Sequence, residues 1–134
     1  MKPSILLAYH LLAGLSDFAT GALLMIAPVF TLTLMRLAVP SDALPYLSFI
    51  GAFVMAVGLA YLYGAMLLRR GGCGSRLDAL WIVTALVRGS VASYVTFAVL
   101  SGALASGWIV IAFFDGACVV IQAVGLRQGW LTHV

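Results

Sequence analysis

The chain has 134 residues, of which 64% are hydrophobic and only 8% are charged, and its formal net charge is +3. A soluble domain carries roughly 25% charged residues, so this sequence cannot cover a globule with polar surface and most of it must lie in lipid. The few, dispersed bases also exclude a nucleic-acid partner. We therefore predict one transmembrane domain over residues 1–134.

Four apolar stretches are each long enough to cross the roughly 30 Å hydrocarbon core, which takes about 20 helical residues. The predicted spans cover residues 4–27, 44–68, 77–100 and 105–126. The first ends before Pro28, and the loop over residues 69–76 separates the second from the third. The apolar segment over residues 29–37 is either an interfacial helix or a continuation of the first span. The predicted fold class is all-α, a bundle of four transmembrane helices. A cleaved signal peptide is the competing interpretation of the N-terminus, but its apolar run is longer than a typical signal core.

The basic residues outside the spans predict the orientation of the chain. With four spans, the two termini and the central loop share one side of the membrane. That side holds five bases, Lys2, Arg69, Arg70, Arg76 and Arg127, and the other side holds Arg36 alone. Because cytoplasmic loops are enriched in Lys and Arg, we expect both termini in the cytoplasm and the protein in the cytoplasmic (inner) membrane. Three tryptophans near span ends are predicted interfacial aromatics, Trp81, Trp108 and Trp130.

Three ionisable residues fall near the middle of the bilayer, where each costs about 2.5–3.5 kcal/mol to insert. A rise of 1.5 Å per residue puts Asp17, Arg88 and Asp115 within about one helical turn of the same depth. Because a guanidinium has five donors, we expect an Arg88–Asp115 ion pair with Asp17 as a second acceptor. The three residues predict that spans one, three and four meet near the midplane.

Helical spacing extends this arrangement toward the cytoplasmic side. His10 and Gln122 each lie seven residues from an aspartate of their own span, so we expect them at similar depth and in contact. We call the set His10, Asp17, Arg88, Asp115 and Gln122 the polar seam. Two pairs of glycines, each seven residues apart, mark one face of span one and one face of span two: Gly14, Gly21, Gly51 and Gly58. Small residues allow close helix approach in lipid, so these faces are predicted packing surfaces.

The polar seam admits two interpretations. It either holds the helices together and fixes their register, or it forms a site for protons or a ligand. A haem or pigment ligated by His10 is a further alternative, although a second intramembrane histidine is lacking. Three tyrosines either line a quinone or lipid pocket or, as we expect, face lipid or the interface: Tyr61, Tyr63 and Tyr94. The sequence contains no catalytic motif and no metal-ligand cluster, and we expect no disulfide between Cys73 and Cys118 because they lie at different depths.

The chain resembles the DoxX-like group of small four-helix membrane proteins over most of its length. The matching features are the Gly14…Gly21 helix ending at Pro28, the Gly51…Gly58 helix, a third helix with central Arg88, and the sequence from Asp115 to Leu126. The resemblance implies a bacterial four-helix bundle, and some such proteins look like subunits or partners of membrane oxidoreductases acting on quinones. No catalytic residue is carried across, because no active-site motif of the group matches.

The sequence favours an accessory or structural subunit that packs against a larger respiratory or photosynthetic membrane complex, and one that is not an enzyme on its own. Its expected partners are the lipid bilayer and other membrane subunits, or further copies of itself. No cofactor is indicated, although lipid, quinone or pigment would suit its outer faces. The alternatives are a quinone- or lipid-binding membrane protein and a proton-coupled transporter. For the latter, Asp17 would correspond to the first-helix acid of small multidrug-resistance transporters, but that acid is a Glu there and Arg88 would neutralise it.

Overall fold

The structure, a computed structural model, describes residues 2–71 and 74–131, and the chain is helical over most of these ranges, with no strand in them. The helices are α1 (Pro3–Ile26), α2 (Pro28–Leu34), α3 (Leu44–Arg69), α4 (Gly74–Leu100) and α5 (Ile109–Arg127). Four segments are long and apolar enough to cross a membrane: Pro3–Ile26, Ser41–Arg69, Gly74–Leu100 and Ser106–Arg127. The predicted all-α class and the four apolar candidate spans are therefore confirmed.

Two compact units divide the chain. The N-terminal unit, Lys2–Gly71, contains α1, α2 and α3. The C-terminal unit contains α4 and α5 within residues 74–131. In each unit two long helices run antiparallel and pack along their length, so each unit presents its own helix–helix interface.

The segment after the first span is a separate short helix. Ala27 leaves the helical conformation with φ −141° and ψ 62°, and Pro28, which has no N–H to donate, takes the first position of α2. At the other end Arg36 has φ 55°, and the Leu37 N–H donates to the Leu32 carbonyl at 2.9 Å, which is the Schellman pattern of a helix end. An unbroken continuation of α1 is therefore wrong, and seven residues form a helix of their own.

The loop between the second and third spans is shorter than the sequence suggests. The composition predicts a loop over residues 69–76, but α3 continues through Arg69 and α4 already begins at Gly74. Gly71, with φ 63°, provides the turn after α3. Gly72 and Cys73 lie outside the described residues. The fourth span begins with a 3₁₀ turn over Ser106–Trp108 before α5 continues to Arg127.

Glycines bring α1 and α3 into backbone contact in the N-terminal unit. Gly14 lies opposite Gly58, and Gly21 lies opposite Gly51. A Cβ added to Gly58 would lie 2.8 Å from the Gly14 carbonyl oxygen, and one added to Gly51 would lie 2.8 Å from that of Gly21. Real Cβ atoms are essentially never found so close to backbone. The equal spacing on the two helices therefore fixes their register, since both pairs meet only in one alignment.

In the C-terminal unit the close contact between the two long helices is made by a tryptophan ring that packs on a glycine. Trp81 is fully buried, and its indole ring lies over Gly125, where an added Cβ would come within 3.0 Å of the Trp81 Cη2. Gly129, with φ 64°, turns the chain after α5 so that Trp130 also covers Gly125, and the Trp130 N–H donates to the Gly125 carbonyl at 3.0 Å. The Trp81 side chain therefore packs between α4 and α5 and does not face the lipid.

Candidate functional site: buried polar groups of the two units

An ion pair joins α4 to α5. The Arg88 Nη1 donates to the Asp115 Oδ1, and the two side chains are only 4% and 12% exposed. The ring of Phe114 covers the guanidinium, with its centroid 5.3 Å from the Arg88 Cζ, a distance typical of a cation–π contact. An ion pair with charge-assisted hydrogen bonding is among the strongest polar contacts that side chains make in a low-dielectric interior. It cancels the two charges and fixes the register of α4 against α5.

A second polar contact lies further along the same interface, about one turn away on α4 and two turns away on α5. The Gln122 Nε2 donates to the Thr84 Oγ1 at 2.7 Å, and the Thr84 hydroxyl in turn donates to the Leu80 carbonyl at 2.8 Å. Because that hydroxyl hydrogen is committed to the backbone, Thr84 accepts from Gln122, and this fixes the orientation of the amide. The Gln122 Oε1 is left buried without a hydrogen-bond partner among the described residues.

Sequence reasoning missed Thr84, although a signal for it exists. Thr84 lies four residues before Arg88, and Gln122 lies seven residues after Asp115. In an antiparallel pair these offsets run in the same direction and differ by three residues, about 4.5 Å of helix rise, so an Arg88–Asp115 contact brings Thr84 within reach of the long Gln122 side chain. The partner of Gln122 was therefore predictable from its own helix pair.

His10 binds the backbone of α3 in the N-terminal unit. Its Nδ1 lies 3.1 Å from the Tyr61 carbonyl oxygen, and because a carbonyl only accepts, Nδ1 carries the proton and donates. The His10 and Tyr61 rings lie 5.6 Å apart, and the hydroxyls of Tyr9 and Tyr61 are 3.3 Å apart. Tyr61 is fully buried, so the expectation that it faces lipid or the interface is wrong.

The other two tyrosines differ from Tyr61 in their environment. Tyr63 is 45% exposed and Tyr94 is 67% exposed. Exposed tyrosines on apolar helices are consistent with placement against lipid or at its interface.

Asp17 lies on the buried face of α1, between Gly14 and Gly21, and is 7% exposed. His10 shares this face, so His10, Gly14, Asp17 and Gly21 are all buried in the N-terminal unit. Arg88, Asp115 and Gln122 belong to the C-terminal unit. Three expectations therefore stay predictions. They are Asp17 as a second acceptor for Arg88, the contact of His10 with Gln122, and the polar seam as one continuous set.

The described ranges contain no cluster of metal-ligating side chains. No group of three or more His, Cys, Asp or Glu side chains in residues 2–71 and 74–131 is placed to hold a metal ion. Cys118 is buried on α5, and Cys73 lies outside the described residues. His10 bonds to α3, and Arg88 and Gln122 bond across the α4–α5 pair, an arrangement typical of helix packing in lipid.

Comparisons with known proteins found no significant match. No family model matches the chain, and neither a curated protein nor a solved structure is significantly similar to it. The likeness to the DoxX-like group therefore stays a prediction from the residues quoted above.

Proposed function

We propose that this chain is a small integral protein of the bacterial cytoplasmic membrane, with both termini in the cytoplasm, and that it serves as an accessory or structural subunit of a larger membrane complex. The observation that carries the proposal is the Arg88–Asp115 pair. Polar side chains that bond across helices hold membrane bundles together, and these two opposite charges pair inside one helix pair. The pair therefore supports a role in holding the fold.

The outer faces of the helices support association with other apolar partners. Phe49 and Phe53 stack edge to face on α3 with centroids 4.9 Å apart, and both are at least 60% exposed. On α4 and α5, Phe97 and Phe113 are more exposed still. Such surfaces suit partner helices, lipid, or bound quinone and pigment, because all of these contact large apolar side chains without requiring polar groups.

The proposed orientation rests on the five-to-one distribution of basic residues. Arg69 ends α3 and Arg127 ends α5, so both cations lie at the ends of candidate spans. Fusions after residue 134 test the orientation. A fluorescent reporter that folds in the cytoplasm should be active and an alkaline phosphatase fusion inactive. The reverse pattern would refute the proposed topology.

The subunit role is tested by extracting tagged protein from its native membrane in a mild detergent and measuring its size by native electrophoresis. The expected result is a species several times heavier than the 14.1 kDa chain and its micelle, reduced to the monomer by a harsh detergent. Migration as a monomer under the mild condition would contradict the proposal. The transporter alternative predicts instead that purified protein in vesicles binds a ligand in a pH-dependent way, and that Asp17→Asn abolishes this binding.

A further inference from the structure

A cleft of about 320 Å³ lies on the N-terminal unit between α1 and α3, next to the C-terminal end of α3. It is lined by Leu11, Leu62, Ala65, Met66, Arg69 and Arg70. The lining therefore combines an apolar part with two cations and contains no acidic residue.

The order of these residues along α3 gives the cleft a direction. Leu62, Ala65, Met66 and Arg69 follow the spacing of one helix face, and Leu11 of α1 forms the opposite wall. Arg69 is the last residue of α3, and Arg70 follows as its C-cap; both are exposed. The charged end of the cleft is thus at the end of a membrane span, and the apolar end runs along the helix toward the middle of the span.

We propose that this cleft binds one anionic phospholipid, with its phosphate on Arg69 and Arg70 and the first part of an acyl chain along Leu62 and Met66. A guanidinium matches a phosphate geometrically and can bind it in a bidentate manner. The apolar lining distinguishes a lipid from a free phosphate ion, because only an amphiphile occupies both ends. Basic residues beside a membrane span favour anionic lipid by roughly fivefold in affinity for each cation.

The experiment is lipid binding to purified full-length protein, measured by native mass spectrometry in detergent with phosphatidylglycerol and, separately, phosphatidylcholine. The expected result is preferential retention of one phosphatidylglycerol. Arg69→Gln combined with Arg70→Gln should reduce that preference by roughly 25-fold, the product of two fivefold effects. Arg76→Gln combined with Arg127→Gln is the matched control, because it removes two exposed cations outside the cleft and should retain the bound lipid.

Two further arms separate the alternatives. Leu11→Trp, at a position that is 37% exposed, places bulk in the cleft and keeps both arginines, so it should also release the lipid while leaving the thermal unfolding midpoint unchanged. Inorganic phosphate alone should not compete. An equal loss in the two double variants would show a general effect of surface charge, and competition by inorganic phosphate would show a simple anion site. Either result would overturn the proposal, and neither bears on whether the chain is a subunit of a larger complex.

Discussion

The close contact of α1 with α3 at Gly58 predicts a large effect from adding one methyl group. In Gly58→Ala the new Cβ would lie 2.8 Å from the Gly14 carbonyl oxygen and 2.9 Å from the Phe18 Cα. Ordinary van der Waals contact begins at about 3.4 Å. Both neighbours are backbone atoms, so no side-chain rotation relieves the clash and the helices must separate by several tenths of an ångström.

The expected cost follows from two opposing terms. Overpacking a tight interface typically costs about 1–3 kcal/mol, and the packing lost when two helices separate adds to it in lipid, where van der Waals contact is a main source of association. Replacing a helical glycine by alanine stabilises the helix by up to about 1 kcal/mol, because alanine has the higher helix propensity. We therefore expect Gly58→Ala to lower the free energy of unfolding by about 1–2 kcal/mol.

Gly116→Ala is the matched control, because an added Cβ at this helical glycine of α5 meets nothing within 4 Å. It receives the same propensity gain without the clash, so it should leave stability unchanged or raise it slightly. The assay is reversible unfolding in mixed micelles with increasing sodium dodecyl sulfate, followed by circular dichroism and tryptophan fluorescence. If the two variants have the same midpoint, the close approach of α1 and α3 at Gly58 is wrong.

Two further predictions concern the α4–α5 interface. Arg88→Met and Asp115→Leu should each destabilise the protein by about 2.5–3.5 kcal/mol, because each leaves one charge without its partner in lipid. The double variant should be destabilised less than either single variant. If the two single costs instead add up in the same unfolding assay, the two residues are not a coupled pair. Gln122→Met loses the bond to Thr84 but also removes the buried, unpartnered Oε1, so its stability should stay within about 1 kcal/mol of the parent. A loss above 3 kcal/mol would mean that this oxygen has a partner.

The sequence predicted the helical class and the candidate spans because length and apolar composition decide them. The end of the first span before Pro28 was predictable because proline has no N–H to donate and therefore interrupts a helix. The start of α4 was placed too late because Gly74 and its neighbours look like a loop by composition. Tertiary packing routinely overrides such local preferences.

The polar contacts were predictable only in part. The Arg88–Asp115 pair followed from depth, since two opposite charges at one level have few other partners in lipid. The burial of Trp81 and Tyr61 did not follow from the sequence, because an aromatic residue near a span end is typical of the membrane–water interface. Each is buried here by a contact that only the pairing of helices reveals: the surface of Gly125 beneath Trp81, and the ring of His10 beside Tyr61.

The α1–α3 pair and the α4–α5 pair are held together by different kinds of contact. This affects how the protein would bind other proteins. Lipid gives helices no hydrophobic reason to associate, so α1 and α3 use the glycine contacts and α4 and α5 use the ion pair. The exposed faces are then left with large apolar side chains such as Phe97 and Phe113. An assembly formed through these faces depends on shape and close packing. It should therefore persist at high salt, which screens exposed charges, and dissociate when detergent competes for apolar surface.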